Sequence, residues 1–176
     1  MLAYATQALG MNRQDILNGV LIAAFIETFT IPAFAALSDR LGRWPVYVFG
    51  AVFPALLSFP LFALLGTKSP QPAWIAIVLG LAVGHAAMYG PQASFFAELF
   101  GAKVRYSGVS LGYNLASIFA GALSPLIANS PMAAYKPETW PISVYMIVLA
   151  VITVVSVYLA SETRQHTATG KLAAPA

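Results

Sequence analysis

Four side chains in this chain combine reactive chemistry with apolar surroundings. Glu27 sits inside a greasy run, beside Thr28 and Thr30. In a later run, "GHAAMYGPQ", His85, Tyr89 and Gln92 fall at i, i+4 and i+7, one stripe of a helix. An imidazole titrates near neutral pH, so it can carry or sense a proton. A phenol and an amide can hydrogen-bond the carboxylate or hydroxyl of a small metabolite. The stripe also holds Gly90 and Pro91. Pro91 has no N–H for the carbonyl of Ala87, and glycine adds backbone freedom, which predicts a helix kink there. Two readings stand for each group. The stripe lines a watery pathway, or His85 only bonds a neighbouring helix. Glu27 couples a proton, or makes a polar contact to another helix. A Glu27–His85 pair fits either reading.

The chain that must position these groups is 59% hydrophobic and 9% charged, with a mean hydropathy of +0.76. A soluble domain carries about 25% charged residues, so this chain cannot cover a water-facing surface. Its natural solvent is a lipid bilayer. With no cysteine, a disulfide framework and a thiolate metal site are excluded. No metal-ligand cluster, nucleotide loop or nucleophile–base motif is present, so neither an enzyme nor a cofactor is expected. The net charge of +3 needs no nucleic acid to explain it.

Charge is distributed in blocks. Nearly uncharged runs at about 15–37, 46–66, 73–97, 107–128 and 140–160 alternate with short charged segments. Each is long enough to cross a bilayer as a helix. Barrel strands would be about half as long and would alternate polar with apolar, which "ISVYMIVLAVITVVSVYLA" does not. The reading is an all-α integral membrane protein with five spans in a membrane domain over 13–161. Lys and Arg accumulate on the cytoplasmic side. Arg40, Arg43, Lys103, Arg105, Arg164 and Lys171 fall on one side, and Arg13, Lys68 and Lys136 on the other. The C-terminus is therefore expected in the cytoplasm, with 162–176 as a disordered tail. Residues 1–12 are too short to span and read as the remnant of a preceding helix.

The spans differ in polarity. The second and fifth carry almost no polar side chains and are expected at the lipid-facing periphery. The first, third and fourth carry polar groups and are expected to line an interior. The fourth has Gly108, Gly112, Ala116 and Ala120 on one stripe, a packing pattern. Asn114 lies on another face, either as an interhelical hydrogen bond or as a pathway residue.

The short link "SDRLGRWP" demands a tight turn, for which Gly42 supplies freedom. Asp39 can accept hydrogen bonds, and Arg40 and Arg43 can pair with a carboxylate or lipid phosphate. The basic residues alone satisfy the charge rule, but not the spacing Asp-Arg-x-Gly-Arg. "LSDRLGR" resembles the signature loop of the major facilitator superfamily, with Ala35 and Trp44 departing from its wider pattern. "GHAAMYGPQASFFAELFGAKVRYSGVSLGYNLASIFAGALSPLIA" and "WPISVYMIVLAVITVVSVYLASET" resemble its metabolite:proton symporters, carriers for shikimate, oxoglutarate, citrate, proline and betaine.

The resemblance covers nearly the whole chain and carries several expectations. The five spans match the eighth to twelfth helices of a twelve-helix carrier, so this is a C-terminal half whose N-terminal six-helix partner is missing. The function is proton-coupled symport of a small polar metabolite, an organic acid or zwitterion, by alternating access in the cell's inner or plasma membrane. The alternative is a truncated non-transporting fragment, or a half-carrier that needs a partner chain. Asp39, Arg40, Gly42 and Arg43 would form the gating loop. Glu98 and Arg105 would join Arg40 and Arg43 in a cytoplasmic charge network.

Overall fold

The computed structural model describes residues 5–6, 9–100, 104–118 and 140–172, and all its regular structure is helical. Helix α1 is Arg13–Leu41 and α2 is Arg43–Gly66. A third crossing, Pro70–Leu99, is built from α3 (Pro70–Val78), a π-helical segment (Leu79–His85) and α4 (Ala86–Leu99). Helix α5 covers 105–118, and α6 is Trp140–Leu172. Among the described residues four stretches are long and apolar enough to cross a membrane: α1, α2, the third crossing and Trp140–Ala160 of α6. The rest of the expected fourth span, 119–128, lies outside the described residues.

Local signals explain the element ends. Asn12 caps α1, its side-chain oxygen accepting from the Gln14 N–H at 2.9 Å. Gly42 alone links α1 to α2, with φ at +99° and its N–H bonded to the Ser38 carbonyl. A side chain at that φ would be strained, so the turn requires glycine as the sequence predicts. Between α2 and α3, Lys68 takes a positive φ of 57°, and Pro70 opens α3 where its missing N–H costs nothing.

The crossings pack in two places. Ile16 and Ala23 of α1, Leu61 and Leu65 of α2, and Ala73 and Ile77 of α3 form one buried cluster. At the other end Tyr47 of α2, Phe95 of α4 and Val157 of α6 form a second, where the Tyr47 and Phe95 rings stack at 5.4 Å. Helix α6 lies antiparallel along α2, pairing Tyr47 with Val157 at one end and Leu56 and Phe59 with Ile147 and Val151 further along.

Three expectations change here. Helix α2, expected to face lipid all round, packs against α4, α6, α3 and α1. An apolar helix surface suits another helix as well as it suits lipid, so lack of polarity does not separate the two. Helix α5, expected to pack by its small-residue stripe, is exposed over most of its length: among the described residues nothing lies within 4 Å of a β-carbon placed on Gly112, while one on Gly108 meets the Phe100 ring. Ala120 lies outside the described residues. Finally, α6 continues as helix to Leu172, through most of the segment expected as a disordered tail. Residues such as Glu162, Arg164 and Gln165 favour helix, and extending a formed helix needs no new nucleus.

Candidate functional site

The third crossing reaches its neighbours through glycines. A β-carbon on Gly84 would lie 2.5 Å from Cγ of Pro54 in α2. One on Gly90 would lie 2.8 Å from the Ile31 carbonyl oxygen and 2.9 Å from the Ala35 nitrogen of α1. These contacts wedge the crossing between α1 and α2. Gly90 therefore serves close approach to α1, and α4 runs as a continuous helix through Pro91. The winding departs from α geometry at Leu79–His85, ahead of the Gly90–Pro91 step, and there the Ala86 N–H reaches back to the Leu81 carbonyl. Wide π turns concentrate at functional sites, and this one ends on His85.

His85 faces Glu27 of α1, Nδ1 to Oε1 at 2.5 Å. The side chains are 52% and 15% exposed, so the imidazole is open and the carboxylate sheltered. Their geometry tolerates a change in protonation. A carboxylate accepts from Nδ1–H of either the neutral or the charged ring, and a protonated carboxyl can donate to a bare Nδ1. The pair can gain a proton and keep its hydrogen bond. The Tyr89 ring stacks on the imidazole, centroids 5.3 Å apart and planes 24° apart. Its hydroxyl is free of protein partners among the described residues and lies on an exposed side chain. Gln92, one turn on, is half-buried and makes no hydrogen bond among the described residues.

Around the pair, α1 is loosened. Pro32 lacks the N–H that would serve the Thr28 carbonyl. Thr28 donates its hydroxyl to the Ala24 carbonyl at 3.0 Å, and Thr30 reaches the Glu27 carbonyl at 3.5 Å. Sequence reasoning passed over Pro32, although a proline five residues after a membrane-depth carboxylate is visible in the sequence. The indole N–H of Trp74 donates to the Asp15 carbonyl at 2.8 Å and ties α3 to the start of α1.

The signature loop lies at the other end of α1. Arg43 Nη1 meets Glu98 Oε1 at 2.6 Å, and its Nη2 meets Asp39 Oδ1 at 3.6 Å. One guanidinium thus bridges the loop to the end of α4. The other expected members do not join it. Arg40 and Arg105 form no ion pair among the described residues. Arg105 opens α5 and lines a groove with Asn114. Asn114 donates to the Ser110 carbonyl of its own helix at 2.8 Å rather than across to a neighbour. Among the described residues no cluster of His, Asp or Glu could hold a metal ion.

Comparison with known proteins gives this arrangement a context. The family model described as "Sugar (and other) transporter" matches residues 2–169. The Shikimate transporter of Escherichia coli (strain K12) is 31% identical over 166 residues, 93% of this chain and 37% of that protein. A Putative metabolite transport protein of Haemophilus influenzae is 35% identical over 159 residues, 89% of this chain and 34% of that protein. The Citrate-proton symporter of Klebsiella pneumoniae is 26% identical over 127 residues, 72% and 29% of the two chains. The chain spans about a third of the length of these relatives. No solved structure matches. Apolar crossings, a charge-bearing pair between two of them and a D-R-x-G-R loop at their ends accompany this likeness, and the chain belongs to the sugar (and other) transporter family of the major facilitator superfamily, as a multi-pass membrane protein.

Proposed function

We propose that this chain is the C-terminal part of a proton-coupled symporter that carries a small organic acid or zwitterion across the cell's inner membrane by alternating access. The supporting observation is the Glu27–His85 pair, a proton-accepting couple between two apolar crossings. Ionisable groups at such depth are expensive, and they mark proton relays and substrate paths. A pair that keeps its bond on gaining a proton can load and unload it without unfolding the site. The Klebsiella relative is a citrate-proton symporter, which supports this reading. The cytoplasmic C-terminus rests on the distribution of Lys and Arg.

Alternating access needs two bundles rocking about a site between them. The activity is therefore assigned to this chain together with an N-terminal six-helix half. The 176 residues span about a third of the length of these relatives. The test is uptake into proteoliposomes under an imposed pH gradient, with labelled shikimate, citrate and glycine betaine. The carrier containing this chain should accumulate one of them, and the 176-residue chain alone should accumulate none. In Glu27→Gln, gradient-driven accumulation should vanish while exchange of substrate across the membrane persists. Full gradient-driven accumulation by Glu27→Gln would overturn the coupling role.

A further inference from the structure

Where the short link joins α1 to α2, the two helices leave an apolar groove of about 360 Å³. Phe34, Leu37 and Leu41 of α1 form one wall, and Pro45, Val46 and Phe49 of α2 form the other. The Phe34 and Phe49 rings, centroids 6.4 Å apart, meet at the end away from the link. From Phe34 to Leu41 the slot runs about 10 Å along the helix. Helix α4 meets α1 at Ile31 and Ala35, on a different face. The groove opens outward, with Leu37 39%, Leu41 63% and Phe49 45% exposed.

The link end of the groove is positive. Arg40 follows Leu37 by three residues, which makes the two neighbours on the helix surface. Arg40 is exposed and is in no ion pair or hydrogen bond among the described residues. The carboxylates of Asp39 and Glu98 are turned to Arg43 instead. The start of α2 lies at the same level, with no side-chain cap and no acidic residue in its first turn. Its dipole adds to the positive field there. An arginine stem can lie along apolar surface while its guanidinium reaches the interface.

These features select one kind of occupant. A slot with apolar walls and an uncommitted cation at its mouth has the polarity of a phospholipid, chain inside and phosphate outside. A guanidinium takes two phosphate oxygens at once. Basic residues at the cytoplasmic ends of membrane helices draw anionic lipids, and this end is the one expected in the cytoplasm. A neutral lipid or another apolar helix would fill the slot but would leave the charge of Arg40 unanswered.

We propose that this groove holds one acyl chain of an anionic phospholipid whose phosphate sits on Arg40, beside the start of α2. The site is separate from Glu27–His85 and independent of what the carrier transports. Its occupant sets a negative charge next to the Arg43–Glu98 contact.

The test is native mass spectrometry of the 176-residue chain released from nanodiscs of equal phosphatidylglycerol and phosphatidylcholine. The parent should retain phosphatidylglycerol over phosphatidylcholine by about fivefold or more, the effect of one basic residue at a membrane surface. Arg40→Gln should bring the two lipids close to equal, and Arg40→Lys should keep most of the preference. Arg105→Gln removes another exposed, unpaired arginine and should leave the preference intact. Leu37→Trp fills the groove without changing charge and should lower retention of phosphatidylglycerol. Helical content by circular dichroism should be the same in all of them. No preference in the parent overturns the proposal, as does an equal preference in Arg40→Gln. A loss in Arg105→Gln as large as in Arg40→Gln overturns it too, since the attraction is then general charge. Unchanged retention in Leu37→Trp, or displacement of the lipid by millimolar inorganic phosphate, also overturns it, because the groove is then idle and only an anion is held.

Discussion

Two acid–base contacts hold the third crossing to its neighbours, and they are built for different work. Glu27–His85 joins α1 to the end of the π segment. Arg43–Glu98 joins α2 to the end of α4. Both are short. The first pairs a carboxylate with a base that can exist neutral at physiological pH. The second pairs it with a guanidinium that stays charged throughout. The first therefore answers to protons, and the second answers only to geometry. A contact of the second kind matters to transport by differing between conformations, because an equilibrium shifts only by the difference in interaction between its states.

The comparison can be broken in several ways. The largest effect is expected from Glu27→Gln, with gradient-driven accumulation falling to background in the carrier. Glu98→Gln should slow transport by roughly tenfold, within the usual range of conformational coupling energies, and should leave accumulation coupled. If Glu98→Gln uncouples and Glu27→Gln only slows, the assignment of roles is reversed. Next comes Gly90→Val, which forces a side chain against the α1 backbone. Overpacking of this kind costs about 1–3 kcal/mol, read as a lower melting temperature in detergent. Gly112→Ala, with no neighbour within 4 Å of the new β-carbon among the described residues, should be neutral or up to about 1 kcal/mol stabilising in the helix.

A third test concerns pH. His85→Asn, which removes the imidazole from beside Glu27, should change the pH profile of uptake. Arg43→Lys should leave the shape of that profile alone. Its own effect is smaller. Lysine cannot present two nitrogens to Asp39 and Glu98 at once, but these are partly exposed ion pairs, worth about 0–1 kcal/mol. The smallest change is expected from Tyr89→Phe, which removes one hydroxyl and keeps the ring stacked on His85. If that hydroxyl bonds substrate, the apparent substrate constant rises by up to about tenfold, or 0.5–1.5 kcal/mol. Unchanged uptake by Tyr89→Phe would leave the ring as packing alone.

Much of this was legible in the sequence. The membrane crossings follow from charge blocks, because a charged side chain in hydrocarbon is costly and leaves clear gaps. The ends differ by a few residues, as with about 15–37 against Arg13–Leu41, since caps and turns rather than hydrophobicity set them. The Glu27–His85 contact was visible as a pairing of two scarce groups. Other features needed coordinates. Nothing in the spacing says that Gly90 faces the Ile31 carbonyl rather than open space. Arg105 follows Glu98 closely in sequence, yet the start of α5 turns it into a groove instead of the charge cluster. The burial of α2 was hidden for a deeper reason, since lipid and protein neighbours select the same side chains.

The π segment has a consequence for comparing sequences. An α-helix turns about 100° per residue, and a wider winding adds residues without adding rotation. Leu79–His85 therefore acts as a stored insertion. A single helical wheel drawn over Pro70–Leu99 puts Trp74 and Tyr89 out of phase with their true faces. A relative that wound this stretch as plain α-helix would keep both faces only by deleting a residue before position 86. In evolutionary terms, the place to look for a compensated gap among these carriers is this turn, ahead of the histidine.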